Sequence, residues 1–220
     1  MADRIEVAML ADRPDPAGQA LRARLHEDLG IAVADVRVID VYTLHAALTP
    51  EELERVRVEL FTDPIIQESS VNRSIARNYD FIIEVGFRPG VTDNVGRSSV
   101  EGIQDTLGRA LAPGETVFKS RQYAVRGATR ETCEAIARRA LANDLIEQWV
   151  VKSAEEVAAL RGASLLGLPI VTERSEVVVH EVDLEIPDDA LLAMSRDRML
   201  ALDLREMQAI QAYYRTPGVR

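Results

Sequence analysis

The chain has one cysteine, three histidines, few aromatic residues, no excess of positive charge and no long apolar run, and each shortage removes a class of function. Cys133 alone closes no internal disulfide. It sits between Glu131-Thr132 and Glu134-Ala135-Ile136, which reads as a helix position flanked by acids. Such a setting raises a thiol pKa, so a small buried apolar role is expected rather than a nucleophile. His26, His45 and His180 fall in three different elements, none at the i, i+4 spacing of a metal pair. The net charge is −10 and Lys and Arg are scattered, which opposes binding to nucleic acid or to an anionic membrane surface. No stretch of 18 apolar residues is present to span a bilayer, and Met1 to Glu6 lack the apolar core of a secretory signal. A cytoplasmic protein is expected.

What is present is ordinary for a globular chain: 220 residues, 47% hydrophobic and 28% charged, room for one bilobed unit or two domains of about 80 to 100 residues. Ile5 to Leu10 reads as a short strand ending at the Pro14 and Pro16 turn. Asp15 is placed to start a helix whose apolar stripe is Ala20, Leu21, Leu25 and Leu29, with Gly30 at its stop. Val36, Val38, Val41, Tyr42 and Leu44 make a strand-rich stretch, either one strand or two joined around Ile39-Asp40. Thr49 as N-cap, Pro50 at the first helical position and Glu51-Glu52 in the first turn open a second helix. Leu53, Val56, Leu60 and Phe61 should be its buried stripe, ending at Asp63-Pro64 before a strand at Ile65-Ile66.

The same order begins again at Phe81 to Phe87, an apolar strand followed by the Arg88-Pro89-Gly90 turn. Asp15-Pro16-Ala17-Gly18 aligns with Asp93-Asn94-Val95-Gly96, and the same offset pairs Leu29-Gly30 with Leu107-Gly108 without a gap. Thr49 and Glu51 then match Thr129 and Glu131, and Ile65-Ile66 matches Leu145-Ile146, once a two-residue insertion in the second half is allowed. Each half, too small to cover its own sheet, is expected to pack on the other as an intrachain pseudo-dimer. The fold class expected is α+β, two ferredoxin-like repeats over 1–78 and 79–160. Residues 161–220 read as a linker broken by Gly162, Gly167 and Pro169, with a strand-like Val177 to Val182. It then turns helical through Ala190, Leu191, Leu192 and Met194, and ends in an amphipathic helix with Leu202, Met207, Ile210 and Tyr214 on one face.

Chemistry-bearing patterns are sparse. The loop from Gly86 to Gly96 joins a strand to a helix, where a phosphate could be cradled, but it lacks the Gly-Lys-Ser or Gly-Lys-Thr of a P-loop and the three-glycine dinucleotide pattern. Turn geometry, with Asp93 as N-cap, explains its glycines equally. No Gly-x-Ser-x-Gly elbow occurs.

Pro89-Gly90-Val91-Thr92-Asp93-Asn94-Val95-Gly96, the helix to Leu107-Gly108 and the later Ala140-Leu141-Ala142-Asn143-Asp144-Leu145-Ile146-Glu147 resemble the small subunit of phosphoribosylformylglycinamidine synthase. Asp15-Pro16-Ala17-Gly18 and Pro64-Ile65-Ile66-Gln67 stand in the corresponding places of the first half, so the resemblance covers about residues 4 to 152. Leu200 to Gln211 looks like the start of the linker preceding the synthetase domain in that family's large polypeptide. The resemblance implies a non-catalytic subunit or N-terminal part of the enzyme, coupling glutaminase to synthetase so that ammonia stays enclosed during purine synthesis. Its partners would be those synthetase and glutaminase parts, with ATP and Mg on the synthetase and no cofactor in this chain. The sequence stops before the family's catalytic stretches, so no catalytic residue carries over. Pro14, Asp15 and Gly18 with Pro89, Gly90, Asp93 and Gly96 are then the candidate partner-contact loops. A stand-alone regulatory domain that binds a small molecule is the alternative.

Overall fold

A computed structural model describes residues 2–160, 164–170 and 181–216, which fall in two compact units, 1–172 and 173–220. The fold is α+β. Strand β1 (Asp3–Met9) leads into helix α1 (Pro16–Leu29), which Asp15 caps and Gly30 ends in the left-handed conformation at φ 66°. Strand β2 (Asp35–His45) is one unbroken strand of 11 residues, so no joint falls at Ile39-Asp40. In α2 (Pro50–Val56), Thr49 and Glu52 form a capping box. The helix then widens into a π-helical turn, Arg57–Phe61, before β3 (Gln67–Val71).

β4 (Phe81–Phe87), α3 (Asn94–Leu107) and β5 (Thr116–Arg126) follow, then α4 (Arg130–Ile136) with its own π-helical turn over Ala137–Leu141, and β6 (Glu147–Ser153). A short helix, α5 (Ala154–Ala159), closes this run. The expected strands at Ile65-Ile66 and Leu145-Ile146 are corrected. Both pairs lie in turns, with Ile65 72% and Leu145 86% exposed, and the strands start after them. Leu60, expected in the core, is 36% exposed, because after the wider π turn it packs at the edge, against Gly102 of α3, rather than in line with Leu53 and Val56.

All six strands form one antiparallel sheet in the order β3-β1-β2-β5-β4-β6. At its centre β2 and β5 pair along their whole length, from Asp35 opposite Arg126 to His45 opposite Thr116. One core packs Leu21 and Leu25 of α1 against Ile83, Val85, Val125, Cys133, Ile136 and Val151. The other packs Ile103 of α3 against Ile5, Val7, Leu44, Leu53 and Val56. Each long helix lies on its own central strand, through Val36 for α1 and Val117 for α3, and reaches with its buried side chains into the core of the other half. The sheet's other face is covered in part by Ile75, Ala76 and Tyr79 from the β3–β4 connection and by Val157 and Leu165.

In the second unit, α6 (Asp188–Asp197) and α7 (Leu204–Tyr214) bury Leu191 and Met207. Ser195 ties their connection by bonding both the N–H and the carbonyl of Leu202. Val177 to His180 lie outside the described residues, and Glu181 and Val182 are not in a strand.

Because Leu25 and Ile103 are fully buried in the cores they reach across to fill, Leu25→Ala and Ile103→Ala should each cost about 2–5 kcal/mol. Denaturant titration should show a single transition for both variants, since the cores share one sheet. Two separate transitions, each lowered by only one substitution, would sink this account of the shared cores.

Candidate functional site

The two loops that the sequence singles out are held by the same device. Asp15 Oδ1 accepts the Gly18 N–H at 3.0 Å and its Oδ2 accepts the Val38 N–H at 2.7 Å. Asp93 does likewise with Gly96 at 2.7 Å and with the Lys119 N–H at 2.6 Å. One carboxylate thus caps a helix and pins its first turn to the central strand. The glycines allow the approach: a Cβ on Gly18 would lie 2.1 Å from the Val36 carbonyl oxygen, and one on Gly96 2.2 Å from that of Val117. The α3 N-terminal donor that an anion in the Gly86–Gly96 loop would need is already bound to Asp93. Pro14, Pro89 and Gly90 are exposed, Gly90 at φ 85°, so these three form the outward part of the loops while Gly18 and Gly96 are buried.

Sequence reasoning missed a buried polar cluster on the sheet face opposite the long helices. Glu6 and Glu84 are each 1% exposed, and Arg4, 4% exposed, lies between them. Its Nη2 is 2.6 Å from Glu6 and 3.7 Å from Glu84. Glu84 also accepts from Ser120 Oγ at 2.6 Å and Gln122 Nε2 at 2.8 Å, and Glu6 accepts the Ile75 N–H at 2.8 Å. Burial pushes the Glu6 carboxyl above its usual range, with Arg4 pulling the other way. The only hint in the sequence is a Glu at the same place in both apolar strands, which on alternation alone reads as solvent-facing.

On the helix face, where β2 and β5 meet, Asp40 takes Lys119 Nζ at 2.6 Å and Arg121 Nε at 3.0 Å. Burial raises Asp40, but the Lys119 and Arg121 charges outweigh it and hold the carboxyl below its usual value. Tyr42, stacked on Phe61 with centroids 4.2 Å apart, lies beneath Lys119. Cys133 is fully buried, and burial followed by the nearby Asp80 pushes its thiol up to about 11. His26 and His45 are both exposed. His180 lies outside the described residues, among which no group of three His, Cys, Asp or Glu could hold a metal ion.

No protein-family model and no curated protein matches the chain.

Gly96→Ala should destabilise the fold by about 1–3 kcal/mol, where an ordinary helix-interior glycine would gain about 0.5–1 kcal/mol from the same change; chemical denaturation reads the sign. The buried Glu6 gives a pH signature. Its folded pKa is raised, so the charged form carries a cost above that pKa, and the cost is relieved as pH falls toward the unfolded value near 4.5. Wild type should therefore gain stability relative to Glu6→Gln between neutral pH and about 4.5. A gap between the two that does not change with pH would contradict the assignment.

Proposed function

We propose that residues 2–160 are two copies of one strand-helix-strand-helix-strand unit packed as an intrachain pseudo-dimer of ferredoxin-like kind. On this reading the chain is a non-catalytic, coupling part of phosphoribosylformylglycinamidine synthase, as the resemblance of its turns and helix ends suggests. The observation that carries the proposal is element-by-element recurrence. β1, from Asp3, recurs as β4, from Phe81, and α1, from Pro16, as α3, from Asn94, with the same spacing and the same lengths. β2, from Asp35, recurs as β5, from Thr116, while α2 and β3, from Pro50 and Gln67, recur as α4 and β6, from Arg130 and Glu147. The second half has a longer helix-to-strand connection and a slightly shorter connection after it, and together these account for its two-residue insertion.

The Asp-x-x-Gly clamps support the same reading, since both copies use them for an identical purpose. They set the long helices across the sheet and leave Pro14, Pro89 and Gly90 facing outward, where a partner would meet them. A duplicated sheet whose long helices reach into each other's core suits a part that holds two other proteins in register. Ammonia passed between glutaminase and synthetase must be kept from bulk water, where protonation removes its nucleophilicity. A closely fitted docking part serves that end without a reacting group of its own.

The experiment is amidine formation by the matching synthetase and glutaminase, with and without the chain, fed either glutamine or ammonium. The glutamine-dependent rate should fall at least about tenfold without the chain while the ammonia-dependent rate holds, the signature of lost transfer rather than lost chemistry. If neither rate moves and no complex co-elutes, the coupling role is wrong.

A further inference from the structure

The correspondence of the two halves gives each groove on the helix face an internal control. In the groove under α3, Leu60 fills the space beside Gly102, where an added Cβ would lie only 2.8 Å from Leu60 Cδ1. Phe61 stacks on Tyr42 next to it, and Lys119 is closed onto Asp40, its side chain 12% exposed. These side chains occupy that groove.

The corresponding positions under α1 have changed together. Leu60 is replaced by Ala140, Phe61 by Leu141, Gly102 by Arg24, Lys119 by Val38 and Asp40 by Arg121. The tyrosine is kept, as Tyr123. The result is an open groove of about 390 Å³, with Arg24, Arg121 and Tyr123 among its lining side chains and Ala17, Ala20 and Ala140 making its walls shallow. Its volume lies in the range of small-molecule sites. Arg24 Nη2 donates to the Ala140 carbonyl at 2.5 Å, which holds the guanidinium at the groove and uses one of its five N–H donors. Arg121 is tethered on its other side by Asp40 and remains 52% exposed. Burial raises the Tyr123 hydroxyl above the usual phenol range, against the pull of Arg121, which is hydrogen-bonded to it, so the phenol stays a neutral polar group at the groove.

Within a protein of net charge −10, two arginines and a phenol at one emptied groove form a local anion-binding chemistry. We propose that the groove between α1, β5 and the Ala137–Leu141 turn binds a small molecule that carries an oxyanion, phosphate or carboxylate, on a flat apolar body. The guanidinium groups take the oxyanion, and Tyr123, Leu141 and the alanines take the flat part. The site is independent of the coupling role, because it needs only the chain itself.

The test uses the whole chain alone, with phenyl phosphate, benzoate, inorganic phosphate and phenol as probes, followed by calorimetry and by backbone amide shifts. Phenyl phosphate or benzoate should saturate below about 1 mM, shifting Ala17, Ala20, Tyr123 and Ala140, and the stronger of the two identifies the oxyanion. Inorganic phosphate, lacking the flat body, should bind more weakly. Ala140→Leu restores the filling residue of the first half and should abolish binding with no change of charge. Arg24→Gln, at an exposed position, should weaken binding at least about tenfold while thermal unfolding falls only slightly, by the loss of the exposed bond to Ala140. The proposal is overturned if neither anion saturates, if phenol binds as well as phenyl phosphate, or if both variants bind like wild type.

Discussion

Everything on the helix face depends on the 11-residue pairing of β2 with β5. Without it the chain would have two three-stranded sheets, each with an open edge and an apolar face that its own short second helix covers only in part. With it, the long helices cross the join, and each supplies the buried residue that the opposite core lacks, Leu25 on one side and Ile103 on the other. Backbone pairing and side-chain burial thus stabilise the same boundary. The clamps at Asp15 and Asp93 convert that pairing into helix position, because each carboxylate bonds a residue of a central strand, Val38 or Lys119, as well as its own helix.

The opposite face follows a different logic. There the sheet buries charge, with Arg4 between Glu6 and Glu84 and the amide of Gln122 closing the set. A buried ion cluster is a weak source of net stability but a strong constraint on register, since sliding a strand by one residue would turn Arg4 and the carboxylates to the helix face and strand them among aliphatic side chains. The apolar face drives association, and the charged face selects which association is allowed.

The sequence makes legible the part of the structure whose chemistry is local. Asp15, Thr49, Asp93 and Thr129 are N-caps, and Gly30 and Gly108 are C-caps, because capping involves residues only three or four apart. Apolar composition points to Ile65-Ile66 and Leu145-Ile146 for the third strand of each half, and there it misleads. The observed β3, Gln-Glu-Ser-Ser-Val, is mostly polar and is recruited by pairing with β1 instead. The π turns are invisible, as one extra residue in a helical turn leaves no mark on a short apolar pattern. The reach of each long helix into the other core, the buried Glu6 and Glu84, and the groove at Arg24 and Arg121 all arise from residues far apart in the chain, beyond any periodicity in a single stretch.

Covalent joining changes what the centre of the sheet can hold. Asp40 and Arg121 sit directly opposite each other at the middle of the β2–β5 ladder, and under the proposed duplication they are the same position of the two copies. In an assembly of two identical separate chains, the residue on the symmetry axis meets itself, so an acid there faces an acid and a base faces a base. Fusing the copies lets a substitution enter one side without its mirror image. An ion pair becomes available on the axis itself, and a chain bearing it has no favourable way back to exchange between separate, self-paired units.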